Sequence, residues 1–366
     1  MIIGIDASHA NKVQRTGVEE YCFQIIQEFK KIIPSDVRVV LFSPTPLLSE
    51  LSELPANWEI KILRWPFKKL WSQFRLAYEL WHSPVDIYFS PGQLLPFFSP
   101  ENSVVTVHDS AFEACPKAYN FWGRQYLKWM NRLIVKKAKL ILTSTKFNKS
   151  ELLRYYGHMF EEQKDLFGKI KVIPLAYNNK KFNLEQAAAI NSFGQYILSV
   201  GRLEEKKNTK AIVEAFDLLK TKLTDLKLVL VGSPGAGYDQ VKNAINSSEH
   251  KKDIIELGFV DNVVGILKSA QVFVFPSLYE GFGIPILEAM AVGVPVVVSD
   301  IEVFREVGGD AIIYSTNTQD MADKILRLIS DVDFRQRQVG LSLELSKEFN
   351  WHKTACLSAQ QLALLG

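Results

Sequence analysis

The chain has 366 residues, 47% of them apolar and 23% charged, and a formal net charge of +3. This length and apolar content support two domains with cores of their own, and a net charge so small does not by itself point to a nucleic-acid binder. No apolar run approaches the roughly 18 residues that a transmembrane helix needs, and Cys22, Cys115 and Cys356 show neither disulfide nor metal-ligand spacing.

In chain order, short apolar runs alternate with amphipathic ones, the pattern of an α/β protein. The first run, 2–6, reads as a strand with no basic segment or cleavage site ahead of it, so a cytoplasmic setting is expected. A helix is expected over 17–33, where Val18, Tyr21, Cys22, Ile25, Ile26 and Phe29 recur at helical spacing. Strands follow at 37–42, 87–90, 104–107 and 140–144, with a helix between 119 and 138. After Pro174 the polar, Asn-rich stretch 177–193 marks a break between domains. The second series has strands at 196–200, 228–231, 254–257, 272–275 and 294–299, and helices at 211–219, 239–245 and 321–328. Near-continuous apolar strands fit parallel sheets covered on both faces. Two doubly wound, Rossmann-like domains are therefore expected, 1–178 and 179–349, with ligands at the C-terminal ends of the strands.

The most specific run is Glu280-Gly281-Phe282-Gly283-Ile284-Pro285-Ile286-Leu287-Glu288, which follows an apolar strand and opens a helix. A helix N-terminus presents unpaired amides and the positive end of its dipole, glycines admit a ligand to the backbone, and carboxylates accept bonds from hydroxyls. That combination suits a sugar attached to a diphosphate. A second loop, Gly201-Arg202-Leu203-Glu204-Glu205-Lys206-Lys207-Asn208, places cations between a strand and a helix. It reads as an anion site or, alternatively, as a solvated charged loop.

These motifs, with Pro276-Ser277 before them and Gly293-Val294-Pro295 after, resemble the family-4 retaining glycosyltransferases of the GT-B fold, two Rossmann-like domains facing a central cleft. The resemblance spans nearly the whole chain and is strongest over 196–300. It implies a C-terminal donor-binding domain, an N-terminal acceptor-binding domain, and a last helix, 350–366, that packs back on the first domain. It implies that Arg202 and Lys207 hold the donor diphosphate, with Gly201 at the strand exit, that Glu280 approaches the donor sugar, and that Glu288 meets the ribose. Gly281, Phe282, Gly283 and Ile284 would line the donor. Gly232 lies in a second glycine loop, Gly232-Ser233-Pro234-Gly235, near the phosphates, and Val260 lies in a segment whose backbone meets the base. In the first domain His108 of Thr106-Val107-His108-Asp109 would lie near the transferred sugar, or else be a structural histidine. Asp109 would orient His108, bind acceptor or cap the next turn. Gly17, in Arg15-Thr16-Gly17-Val18, would let the donor phosphate reach a helix N-terminus, and Asp6 is an acceptor-side candidate.

The implied reaction is hexosyl transfer, an EC 2.4 activity, with catalytic roles for His108, Glu280, Arg202 and Lys207. No paired-carboxylate metal motif is evident, so no metal and no cofactor are expected. The pattern is nearest the mannosyltransferase-like group, which makes GDP-mannose the first donor candidate and a growing surface polysaccharide or lipid-linked glycan the acceptor. A sugar-nucleotide epimerase, a phosphorylase and a catalytically silent binding module remain as alternatives. Finally, Arg124, Lys128, Arg132 and Lys136 recur every four residues among Trp122, Tyr126 and Trp129, and residues 65–71 add Lys68 and Lys69 between aromatics. Peripheral contact with an anionic membrane through that cationic helix face is expected.

Overall fold

The computed structural model describes residues 1–67, 70–183 and 192–366. Lys68 and Lys69 of the basic run, and 184–191 of the expected inter-domain stretch, lie outside the described residues. The chain divides into two compact units. One comprises Met1–Glu113, Phe121–Leu175 and Trp351–Gly366, the other Ala114–Asn120 and Ala176–Asn350.

The first unit is built on a seven-stranded sheet: β1 (Ile2–Asp6), β2 (Arg38–Ser43), β3 (Trp58–Ile62), β4 (Ile87–Ser90), β5 (Ser103–Val107), β6 (Leu140–Thr143) and β7 (Ile170–Val172), in the order β3-β2-β1-β4-β5-β6-β7. Every pairing is parallel. The strand order reverses between β1 and β4, which is where a doubly wound sheet exposes a ligand-accessible edge. The helix Gly17–Ile32 lays Tyr21, Cys22, Ile25, Ile26 and Phe29 against the sheet. The helix Trp351–Ala363 belongs to this unit: Trp351 packs 6.0 Å from Tyr21, and Thr354 donates to the Pro174 carbonyl at 2.8 Å.

The second unit is built on β8 (Tyr196–Val200), β9 (Lys227–Val231), β10 (Ile254–Gly258), β11 (Val272–Phe275), β12 (Val296–Ser299) and β13 (Ile313–Ser315), again all parallel, in the order β10-β9-β8-β11-β12-β13. Its reversal lies between β8 and β11. Ile212, Phe216 and Leu219 of the helix Thr209–Lys220 and Ile325 and Leu328 of the helix Thr318–Ser330 bury their apolar faces in one core with β8, β9, β11 and β12.

Three strands were not expected from the sequence: β3, β7 and β13, and each is the edge of its sheet. An edge strand is covered on fewer sides, so it need not be continuously apolar. Glu59 and Lys61 in β3 and Lys171 in β7 break the pattern that made the central strands visible. The strand expected from 294 begins at Val296, because the Val294 N–H is taken by the Ala289 carbonyl at the end of the preceding helix.

Candidate active site

In the second unit the reversal point gathers the predicted donor residues. The loops after β8 and β9 continue side by side as a narrow parallel ladder: Gly201 N–H donates to Val231 O, Leu203 N–H to Ser233 O and Gly235 N–H to Leu203 O, at 2.9–3.0 Å. Gly232 makes this approach possible. A Cβ on it would lie 1.9 Å from the Gly201 carbonyl oxygen, and its φ of +146° disfavours any other residue. Its own N–H is given to Gly258 O at 2.7 Å. That amide is therefore occupied, and within the loop expected near the donor phosphates Gly232 lets two loops touch. Val260 is partly exposed, two residues past Gly258, which carries a register shift and a φ of +65°.

On the other side, the loops after β8 and β11 bring side chains together. Lys207 ion-pairs with Glu280, and Ser277 Oγ donates to the same carboxylate oxygen at 2.8 Å. The Lys207 ammonium also lies 4.9 Å from the centre of the Phe275 ring, at the end of β11. The loop carrying Lys206 is tied to the loop carrying Glu280 by Leu278 N–H to Lys206 O at 2.9 Å. Burial pushes the Glu280 carboxyl up, but the charges of Lys207 and Lys206 and the bonds from Lys207 and Ser277 prevail and hold it below its ordinary range. It is a carboxylate at neutral pH. Arg202 is exposed on the same ladder, and among the described residues its guanidinium has no ion-pair partner. One cation is thus held in place by the site's own glutamate and a second is free for an anion.

The glutamate run itself folds as its residues dictate. Gly283, at φ +100°, makes the turn into the helix Ile284–Ala291, and Pro285 supplies the fixed φ of a first turn. Ile286 N–H returns to Gly283 O at 2.9 Å. Gly281 and Phe282 are buried, Phe282 packing edge-on to Phe349 at 5.9 Å, while Ile284 is partly exposed. Glu288, one turn further along, is partly exposed as well. Asn208, in the left-handed region at φ +53°, opens the helix Thr209–Lys220. Sequence reasoning quoted Ser277 only as context. The structure makes it the second partner of Glu280, a role that its spacing of three residues from that acid could have suggested.

The first unit treats its candidates differently. His108, just past β5, is buried, and its Nε2 lies 2.7 Å from the Pro91 carbonyl oxygen. A carbonyl only accepts, so Nε2 carries the proton. Burial lowers the imidazole pKa to about 4, against smaller raising effects from Pro91 and Asp109, so the ring is neutral at neutral pH with its lone pair on Nδ1. Its backbone is fixed as well, the N–H by Gln93 Oε1 at 3.0 Å and the carbonyl by Asn148 Nδ2 at 2.8 Å. Asp109 Oδ1 accepts from Ala111 N–H at 3.0 Å, the turn-capping role among those considered for it. Asp6 is only 2% exposed; Oδ1 accepts from Ser8 N–H at 2.9 Å and Oδ2 has no partner among the described residues. Burial raises its carboxyl. Asp6, the acceptor-side candidate, is thus almost wholly enclosed. At Gly17, where the donor phosphate was expected, the helix opens with a capping box, in which Glu19 accepts from the Thr16 N–H at 3.1 Å and from its hydroxyl.

The cationic helix face is also corrected. A residue every fourth position drifts about 40° per step around an α-helix, so the four cations do not share one face. On the helix Phe121–Lys137, Arg124 and Lys128 turn to Glu113, at 3.8 and 2.7 Å, whereas Arg132 and Lys136 are exposed. Among the described residues, no helix is long and apolar enough to cross a membrane.

Comparison with known proteins bears on this site. Residues 180–339 match the family described as Glycosyl transferases group 1. The chain is 28% identical over 331 residues to the O-antigen chain mannosyltransferase B of Escherichia coli, covering 86% of this chain and 83% of that one. It is 28% identical over 233 residues to an N-acetylgalactosamine-N,N'-diacetylbacillosaminyl-diphospho-undecaprenol 4-alpha-N-acetylgalactosaminyltransferase of Campylobacter jejuni, covering 62% of this chain and 61% of that one. Among solved structures, the sucrose-phosphate synthase of Thermosynechococcus elongatus superposes with a TM-score of 0.73 at 17% identity, over 100% of this chain and 99% of that one, a likeness of fold.

Proposed function

We propose that this chain, which belongs to the group 1 glycosyl transferases and is a glycosyltransferase of the GT-B architecture, moves a hexose from a nucleoside diphosphate sugar to a hydroxyl of a glycan or lipid-linked acceptor, with retention at the anomeric carbon. The observation that carries the reading is the cluster of Lys207, Glu280 and Ser277 at the C-terminal ends of β8 and β11, with Arg202 exposed on the loop after β8 and without an ion-pair partner among the described residues. In this reading the second unit takes the donor and the first the acceptor. Arg202 binds the diphosphate by its forked donors, and Lys207, already fixed by Glu280 and Phe275, adds a compact charge.

As transfer proceeds, the bond from the anomeric carbon to the β-phosphate oxygen breaks and its electron pair stays with the phosphate. The acceptor oxygen bonds to that carbon from the same side, and its proton passes to the leaving phosphate. The charge that grows on the diphosphate meets two preset cations and the amide end of the Ile284–Ala291 helix, an arrangement that needs little reorganisation. Glu280, held ionised by Lys207, faces the electron-poor sugar, and Glu288 accepts from ribose hydroxyls. These cations do the work that a divalent metal does elsewhere, so turnover is metal-independent.

GDP-mannose is the donor we favour, supported by a relative named as an O-antigen chain mannosyltransferase. A lipid-linked acceptor is supported by a relative whose name carries diphospho-undecaprenol, and it sets the reaction in the cytoplasm at the inner face of the membrane. The test is a panel of nucleotide sugars incubated with the full chain in EDTA, following release of the nucleoside diphosphate. GDP-mannose should be consumed fastest. Consumption of another donor overturns the mannose assignment, an absolute need for Mg²⁺ or Mn²⁺ overturns metal independence, and release with no donor overturns the transferase reading of this site.

A further inference from the structure

The first unit carries a surface that the transfer reaction does not use. A wide turn at Ser72–Leu76 runs into the helix Ala77–His82, and together they leave Phe74, Tyr78 and Trp81 more than half exposed. Phe97 and Phe98 project from an uncharged loop, and Trp129 from the helix Phe121–Lys137. Far apart in sequence, these six aromatics line one open groove of about 530 Å³. Exposed apolar patches of this kind on a globular unit mark a site of interaction.

The rim of the groove is basic. The Phe121–Lys137 helix holds Arg124, Lys128, Arg132, Lys136 and Lys137 and no acid. Arg132 and Lys136, three and seven positions after Trp129, share its face, are exposed, and have no ion-pair partner among the described residues. Lys137 lies 4.5 Å from the centre of the Phe97 ring and donates to the Phe97 carbonyl at 2.9 Å. Glu79, which adjoins Tyr78, is neutralised by Lys61 and Arg75, each at 3.0 Å.

We propose that this groove seats the protein on an anionic lipid bilayer, its aromatic rings in the interfacial layer and Arg132, Lys136 and Lys137 over the headgroup phosphates. Aromatic side chains concentrate at the membrane–water interface, and nearby cations add attraction to anionic lipid. A second copy of the chain is disfavoured as occupant. A two-fold contact through this face would bring two basic rims together with no acid on the Phe121–Lys137 helix to answer them, since a two-fold interface must complement itself. The inference rests on the lipid-linked acceptor reading for its purpose and on the surface alone for its geometry.

The test is co-sedimentation of the full chain with vesicles of phosphatidylglycerol and phosphatidylcholine against phosphatidylcholine alone, at low and high salt, with light scattering of the vesicle-free protein. Wild type should bind the anionic vesicles at least about tenfold more tightly, and high salt should weaken binding. Trp81→Ser with Phe98→Ser, and separately Arg132→Ser with Lys136→Ser and Lys137→Ser, should each lose about tenfold with unchanged melting curves. Absence of binding to anionic vesicles, variants that bind like wild type, or a dimer dispersed by the aromatic substitutions each overturns the proposal. Release of nucleoside diphosphate without vesicles, measured on the same variants, should match wild type and reports separately on the transferase reading.

Discussion

The two sheets reverse their strand order in the same way, yet they furnish their reversal points in opposite styles. At β8 and β11 the charged groups answer one another or stand open: Lys207 meets Glu280, and Arg202 has no ion-pair partner among the described residues. At β1, β4 and β5 the titratable groups are withdrawn. His108 donates its N–H to a backbone carbonyl, Asp109 caps a turn, and Asp6 is sealed with an unsatisfied oxygen near Tyr88 and Ser90, whose hydroxyls are also without partners among the described residues. The contrast teaches that one topology can present a site for charge or bury one in neutral form. The choice lies with the loops after the strands, not with the strands.

The sharpest break of this comparison is Lys207→Ala. It removes a cation from the leaving group and strands a buried carboxylate, so transfer should fall about 10²–10³-fold and the second unit should also lose about 3 kcal/mol of stability. Arg202→Ala separates the two effects. Its side chain is exposed and has no ion-pair partner among the described residues, so transfer should fall by a similar factor while the melting curve stays that of wild type. Single-turnover rates and calorimetry together check both; equal melting losses in the two variants would contradict the pairing of Lys207 with Glu280 as the structural difference.

Next is Gly232→Ala. The added carbon meets the Gly201 carbonyl at 1.9 Å, and backbone cannot swing aside as a side chain can. Separation of the two loops and a strained φ should destabilise the second unit by about 3 kcal/mol or more, visible as a lower Tm. A melting curve unchanged by this substitution would show that the loops are not in contact.

In the first unit pH provides the probe. His108 is held at about 4 in the fold, below the ordinary imidazole value of about 6.5 in the unfolded chain. Between those values the unfolded chain binds the extra proton and the fold does not, so stability rises with pH across the window. It is fully present above about 6.5 and lost as pH falls towards 4, amounting to about 3 kcal/mol. His108→Gln should flatten that part of the stability profile of the first unit. An unchanged slope would show that the ring is not buried in neutral form. The smallest effects are expected at Asp109: Asp109→Asn keeps an acceptor for Ala111 N–H and should leave stability unchanged, whereas Asp109→Ala should lose about 1 kcal/mol as a lost cap does.

Much of this was readable from the chain alone, and the reasons are local. The central strands are buried on both faces, so they had to be continuous apolar runs, and β1, β4, β8 and β11 were placed at their observed bounds. The turn into Ile284–Ala291 was visible because Gly and Pro have few other uses there. The edge strands β3 and β7 were not visible, since partial exposure lets charged residues into the pattern, and β13 is only the three residues Ile313–Ser315, too short to show one.

What the sequence determined, then, was the alternating α/β order and which residues stand at strand exits, because period, apolarity and Gly or Pro are properties of neighbours along the chain. What only the tertiary structure decided was who meets whom. Lys207 ion-pairs with Glu280, Gly232 serves Gly201 and Gly258, His108 donates to Pro91, and six aromatics from three separate segments form one groove. Contacts of that kind depend on how distant segments pack, and burial and pairing, which fix the charge of each group, exist only once they have.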